Sequence, residues 1–185
     1  MKLFTILLFT VLITNQLNAQ GSTKSWAIGV GLTAIDDDGR DVKSPKNMFN
    51  GFNMLPFPSS INFEYYFNKN VSLELCESIS SYNIGEMVDG YRTTKNIFFM
   101  SIDMNAKYHF TNLFKKHSWF DPYLSAGLGG TLRTKFFVPT LHPGGGVNFW
   151  ITDRFAANLQ SFAKFSLSSN GSKYFQHSLG VKFLL

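Results

Sequence analysis

From Met100 to Phe110 the chain alternates without a break. Met100, Ile102, Met104, Ala106, Tyr108 and Phe110 fall on one side, and Ser101, Asp103, Asn105, Lys107 and His109 on the other. A helix would scatter both sets around its circumference, whereas a strand turns successive side chains to opposite faces. The stretch is therefore predicted to be a strand between an apolar and a polar environment. The last twelve residues, Tyr174 to Leu185, repeat the pattern, with Phe175, His177, Leu179, Val181, Phe183 and Leu185 opposed to Tyr174, Gln176, Ser178, Gly180, Lys182 and Leu184.

Read for this period, the chain predicts eight strands: Ser25–Ile35, Ser59–Phe67, Val71–Tyr82, Phe98–Phe110, Asp121–Arg133, His142–Thr152, Arg154–Ser166 and Tyr174–Leu185. Asn68–Asn70 and Thr152–Arg154 read as tight turns, and Thr111–Phe120 as a moderate connection. Asp36–Phe57 and Asn83–Asn96 read as long polar loops, with shorter ones at Thr134–Leu141 and Leu167–Lys173. Glu77 interrupts the apolar face of its strand, which a bulge or the end of the apolar zone would explain.

The inner face follows from side-chain size. One set is rich in Gly, Ser, Ala and charge, and the other is bulky. Charged residues make up 16% of the chain and aromatics another 16%, with 20 Phe, a balance that suits apolar surface facing lipid as well as packed apolar contacts. In hydrocarbon every backbone N–H and C=O must be paired internally, so a spanning sheet must close on itself. The expected fold is all-β: an eight-stranded antiparallel up-and-down transmembrane β-barrel. Trp26, Tyr65, Phe67, Tyr108, Phe110, Phe149, Phe155 and Phe183 would then band near one rim, as an interfacial girdle does. The competing fold is a secreted lipocalin-like carrier, whose apolar face would line the cavity and whose polar face would meet water.

The first 19 residues read as a signal peptide, with Lys2 before an apolar stretch Leu3–Ile13 and a cleavage site at Leu17-Asn18-Ala19. The barrel domain would be residues 20–185. Cys76 is the single cysteine, so no internal disulfide can form. The net charge of +5 comes from dispersed Lys and Arg with no nucleic-acid motif; it fits attraction to anionic lipid headgroups, or nothing specific, better than a nucleic-acid partner, and none is expected.

Two kinds of short motif carry a resemblance. Ser178, Gly180, Phe183 and Leu185 fill the slots of the C-terminal signal by which outer-membrane barrels are recognised for assembly, with Leu where an aromatic is commoner. P-Y-L-x-A-G-x-G from Pro122 and G-G-G-V-N-F-W-I-T-D at Gly144–Asp153 are wordings common in small outer-membrane barrels. The chain thus resembles the OmpA/OmpX-type group, the outer membrane protein β-barrel domain. The resemblance implies an outer-membrane location and a non-enzymatic role in envelope integrity or surface contact. It also implies as partners outer-membrane lipids, lipopolysaccharide and the barrel assembly machinery, with a surface ligand at the long loops. No cofactor is expected.

Candidate chemistry sits on the inward set. Glu64, Glu74 and Asp103 as acids, with Lys107, Lys164, Lys182 and His109, would form a lumen polar network, knitted by Asn62, Asn105, Asn148, Asn158, Gln160 and Gln176. Buried charge left unpaired is costly, which favours a paired plug over an open charged bore. The alternative is a narrow, porin-like ion path through the same groups. A lipid-modifying enzyme would need His177, Ser161 and Glu77 in contact, yet Glu77 is three strands from His177 around the wall. Asp36–Asp41 shares the acidity of a Ca²⁺ loop but lacks its distal Glu and spacing, so it reads as a solvated loop or as weak bridging to divalent ions among surface lipopolysaccharide; the four His show no ligand spacing, and no metal site is expected.

Overall fold

The structure, a computed structural model, describes residues 25–36, 52–85, 87–88, 91–110, 119–133, 136–168 and 173–185. The described strands are β1 (Ser25–Asp36), β2 (Phe52–Met54), β3 (Ser60–Tyr66), β4 (Val71–Tyr82), β5 (Met87–Val88) and β6 (Tyr91–Arg92). They continue with β7 (Ile97–His109), β8 (Phe120–Arg133), β9 (Phe136–Trp150), β10 (Phe155–Ser166) and β11 (Lys173–Leu184). Residues 1–19, read as a signal peptide, and the acidic loop beyond Asp36 lie outside the described residues.

Every long strand pairs antiparallel with its sequence neighbour, and β11 returns to pair with β1 from Ala27↔Leu184 to Asp36↔Phe175. That last pairing closes an eight-stranded barrel of β1, β3, β4, β7, β8, β9, β10 and β11. Both ends of the described chain lie at one rim, called here the terminal rim. Two of its turns, among the described residues, are made by side chains that replace ladder partners: Asn68 Oδ1 accepts from Asn70 N (2.8 Å) and Val71 N (3.0 Å). Thr152 Oγ1 likewise accepts from Phe155 N (3.0 Å) and Arg154 N (3.3 Å).

Alternation sorts the residues as their size and polarity predict. Along β7, Ser101, Asp103, Asn105, Lys107 and His109 are buried, while Ile102, Met104 and Tyr108 are exposed. The outer wall is a belt that includes Val30, Phe63, Leu75, Leu124, Leu128, Leu159 and Leu179. At the terminal rim the aromatics cluster in ring contacts: Trp26–Tyr65 at 4.7 Å, Tyr65–Phe67 at 5.0 Å and Tyr108–Phe110 at 5.3 Å. Trp119, stacked on Phe149, joins them. A second group, Phe98, Phe137, Phe165 and Phe175, is exposed toward the opposite rim, the loop rim.

Three stretches differ from the sequence expectation. Within Asp36–Phe57, read as loop throughout, β2 adds to β1 at Ala34↔Met54 to Asp36↔Phe52. It occupies the edge of β1 that β3 leaves beyond Gly31↔Ser60, so β2 and β3 act as one wall strand broken at Leu55–Ser59, where Pro56 and Pro58 forbid a regular ladder. Thr134–Leu141, read as a loop, is largely the start of β9, which pairs with β8 without a gap from Arg133↔Phe136 to Phe120↔Phe149. The prolines that suggested a loop are accommodated on the other edge. Pro139 turns its carbonyl to Leu167 N (2.9 Å), so its nitrogen also faces β10, and Pro143 falls where the β9–β10 pairing is interrupted. Asn83–Asn96 contains the small hairpin β5–β6.

Glu77 is explained by neither a bulge nor the end of the apolar zone. β4 runs regularly through it, between Ile61 and Ile102. The irregularity is in the neighbouring wall strand, whose break leaves a notch of about 240 Å³ lined by Val30, Pro58, Ser59, Ser60, Ile61, Ile79 and Glu77 itself. The break keeps its polar groups satisfied, because Thr33 N donates to Ser59 Oγ (2.9 Å) and Ile79 N to Ser59 O (2.8 Å).

At the closing seam Gly31 faces Gly180, and a Cβ on Gly180 would stand 2.5 Å from Val30 O and 2.9 Å from Gly31 Cα. Gly180→Val is expected to destabilise the folded barrel by about 1–3 kcal/mol through overpacking. A lower urea midpoint in detergent micelles, with far-UV circular dichroism still showing sheet, is the measurement that checks it.

Candidate functional site

The inward faces of eight strands converge on a lumen packed with side chains, as this strand number requires. Nearest the terminal rim, His109 at the end of β7 stands between two carboxylates. Its Nδ1 is 3.0 Å from Asp121 Oδ2 and its Nε2 is 3.4 Å from Glu64 Oε1. Ser72 Oγ lies 2.9 Å from the same Nε2 and donates to Glu64 Oε1 at 2.5 Å. Lys182 of β11 pairs with Glu64 and donates to Asn148 Oδ1 (3.3 Å), and Asn148 Nδ2 donates to Asp121 Oδ2 (2.8 Å).

One step deeper, Lys107 donates to Glu74 Oε2 at 2.6 Å and lies 3.6 Å from Glu64 Oε2, joining the two layers. Its ammonium also sits 4.5 Å from the Tyr123 ring centroid and donates to Gln160 Oε1 (3.4 Å). Tyr123 OH donates to Gln160 and accepts from Asn158 Nδ2, both at 3.0 Å. Asn105 Nδ2 donates to Glu74 (3.3 Å), and its Oδ1 lies 2.8 Å from His142 Nε2. That last bond passes over Gly127, where a Cβ would come within 2.5 Å of the imidazole.

The third layer pairs Lys164 of β10 with Asp103 of β7. Ser101 donates to Asp103 Oδ2 (3.0 Å) and to Gln176 Oε1 (3.4 Å), and Gln176 Nε2 donates to Ser78 Oγ (3.0 Å). Above it the chemistry changes. Ile35, Tyr82, Phe99 and Tyr174 form an apolar cluster across the bore, with Phe99 edge-on to Tyr82 and Tyr174. Arg133 lies over these rings at 5.1–5.9 Å, and Tyr174 OH meets Thr131 Oγ1 at 2.5 Å.

Glu64, Glu74, Asp103, Lys107, His109, Lys164 and Lys182 are thus all buried in one lumen, in two connected groups. Glu64, Glu74, Lys107, His109 and Lys182 form the lower, and Asp103 with Lys164 the upper. Sequence reasoning passed over Asp121, His142 and the aromatic cap. Asp121 and His142 keep the inward parity of their strands, which is the signal that would have found them; Tyr82, Phe99 and Tyr174 hold the same parity but look like wall residues by composition.

Asp121, His109 and Ser72 stand in the hydrogen-bond order of a carboxylate–imidazole–hydroxyl relay. Ser72, however, is 1% exposed, with its proton directed at Glu64. A nucleophile needs space about 3 Å away for a reacting atom, so here the relay ties β4, β7 and β8 together. On the outer wall Ser161 and His177 are register partners, and His177 stacks on Phe175 at 6.2 Å, but β1 and β3 stand between β11 and the strand that bears Glu77. The three candidate catalytic residues are not brought together. Of the residues read as an assembly signal, Ser178 turns inward to Thr33 Oγ1 (3.1 Å), Gly180 faces Gly31, Phe183 lies outward between Ile28 and Phe155, and Leu185 N donates to Trp26 O (2.7 Å). No group of His, Cys, Asp and Glu among the described residues could hold a metal ion.

No protein-family model matches the sequence, and no curated protein matches it. Solved structures do resemble the fold. The N-terminal β-barrel domain of Pseudomonas aeruginosa OprF aligns with a TM-score of 0.54 at 17% identity, covering 90% of this chain and 100% of that one. The outer membrane protein OprG of Pseudomonas aeruginosa aligns at 0.56 with 11% identity, covering 89% and 96%. Neisserial surface protein A aligns at 0.53 with 13% identity, covering 88% and 97%. At these identities the likeness is one of architecture, that of small transmembrane β-barrels.

Removing one partner of a buried pair leaves the other charge uncompensated, at a cost of about 3–5 kcal/mol. Lys107→Met is therefore expected to lower unfolding stability by that order, and Lys107→Met combined with Glu74→Gln by clearly less than the two single losses summed. Urea unfolding of the four proteins in micelles, read as a double-mutant cycle, measures the coupling.

Proposed function

We propose that this protein is an integral outer-membrane β-barrel with its terminal rim in the periplasm and a lumen that does not conduct. Its role is structural or one of surface contact. The carrying observation is the filled bore, in which three layers of paired polar groups are capped by Tyr82, Phe99, Tyr174 and Arg133. A conducting path would need a continuous gap, whereas here successive layers bond across the barrel, from Glu64–Lys182 to Ser101–Gln176.

The outward belt and its two aromatic groups support insertion into a bilayer, since an apolar wall flanked by aromatics matches hydrocarbon flanked by headgroups. A carrier with an apolar cavity is disfavoured by the same sorting, which puts the ionic side chains inside. The apolar stretch in residues 1–19 fits export, and the ending of β11 fits recognition by the assembly machinery. The longest connections leave from the loop rim, between Asp36 and Phe52 and between Tyr82 and Ile97, which makes that rim the place for a surface ligand.

Refolded protein in a planar bilayer is expected to give no discrete current steps. Steps that change when Lys107 or Glu74 is neutralised would replace this reading with the channel. Mass spectrometry of lipopolysaccharide and phospholipid incubated with the protein is expected to show no turned-over lipid.

A further inference from the structure

A cleft at the terminal rim has no part in the lumen network. β9 ends in Phe149 and Trp150, and Trp150 N donates to Trp119 O at 2.8 Å, tying the entry of β8 to the exit of β9. The turn after Trp150 is fixed by Ile151 N to Phe155 O (2.8 Å) and by the Thr152 hydroxyl, so Asp153 is held at its tip. Leu184 N donates to Arg154 O (2.8 Å) and closes the third side. The result is a cleft of about 470 Å³ lined by Trp119, Trp150, Ile151, Thr152, Asp153 and Leu184. It takes two of the chain's three tryptophans. The Asp153 carboxylate is exposed and has no hydrogen-bond or ion-pair partner among the described residues.

We infer that this cleft seats the ammonium headgroup of a zwitterionic phospholipid, of the phosphoethanolamine class, from the leaflet at the terminal rim. Indole faces attract cations, and a free carboxylate beside them supplies the counter-charge an ammonium needs. Ile151 and Leu184 offer apolar surface beside the cation site for the glycerol end. The level is that of a headgroup: Trp119 stacks on Phe149 in the aromatic group of the rim, where indoles sit at the bilayer interface. The net charge of +5 would by itself favour anionic lipid, so a preference for an ammonium headgroup would be a property of this cleft and not of the whole molecule.

The inference rests on the membrane reading, and the test separates the two. Full-length mature protein is first reconstituted in nanodiscs and checked for sheet content; failure to insert overturns the membrane reading and this inference with it. Folded protein in micelles is then titrated with dihexanoyl-phosphatidylethanolamine or dihexanoyl-phosphatidylglycerol, with tryptophan emission as the signal. The expected result is saturation by the ethanolamine lipid at least about tenfold tighter than by the glycerol lipid, a modest difference for one ammonium in a cleft lined by indoles and a carboxylate. Asp153→Asn, on an exposed turn tip, abolishes the preference, and Trp26→Phe, on the outer wall, retains it. Equal responses to both lipids, or a preference that survives Asp153→Asn, would each overturn the proposal.

Discussion

Pairing of β1 with β11 is the contact on which the molecule depends. A sheet of strands with one apolar face and one ionic face has two bare edges until its first and last strands meet, and an unpaired edge is both an unsatisfied ladder and a template for aggregation. Closure removes the edges and creates an inside in the same step. The pairing brings Gly31 against Gly180, two residues without side chains, where a Cβ on either would press on the opposite backbone. It also carries Lys182 to Glu64, which lies 118 residues away along the chain.

Once the inside exists, electrostatics decides what fills it. The charges cannot stay solvated in so narrow a bore, and their mutual pairing is the available substitute for water. Lys107 serves two carboxylates, Glu74 and Glu64, and Glu64 in turn serves Lys182 and Ser72, so the lower lumen behaves as one object. Asp103 and Lys164 form a separate pair above it. The aromatic cap then ends the polar region on the side of the long connections. Polar pairing fills the lower bore and the aromatic cap closes it above.

The wall tolerates two departures from a regular ladder, and both are tied to proline. At Leu55–Ser59 the strand breaks and a notch opens beside Glu77. At Pro139 and Pro143 the strand continues, because both ring nitrogens face the edge on which β10 asks least of them. The same residue type therefore ended one strand and was absorbed by another, according to which neighbour needed the missing N–H.

The period-2 pattern by itself determined the eight wall strands apart from β2 and the first residues of β9, their inward and outward faces, and the aromatic group at the terminal rim; it turned Glu64, Glu74, Asp103, Lys107, His109, Lys164 and Lys182 inward, while Asp121 and His142 went unread. These depend on the parity of each residue along its own strand, which the chain order contains. Lys107 had to point inward because Met104, Ala106 and Tyr108 could not. Tertiary structure alone decided which acid meets which base, because the partners of Glu64 lie on β4, β7 and β11 and meet only through the register and shear of the closed wall. It also decided that Tyr82, Phe99 and Tyr174 meet as a cap, since parity turns them inward but does not say that three separate strands bring them together across the bore. The extension of β9 past two prolines and the seating of Trp119 beside Trp150 have the same origin: each is set by a neighbouring strand's hydrogen-bond edge, and that edge exists only after folding.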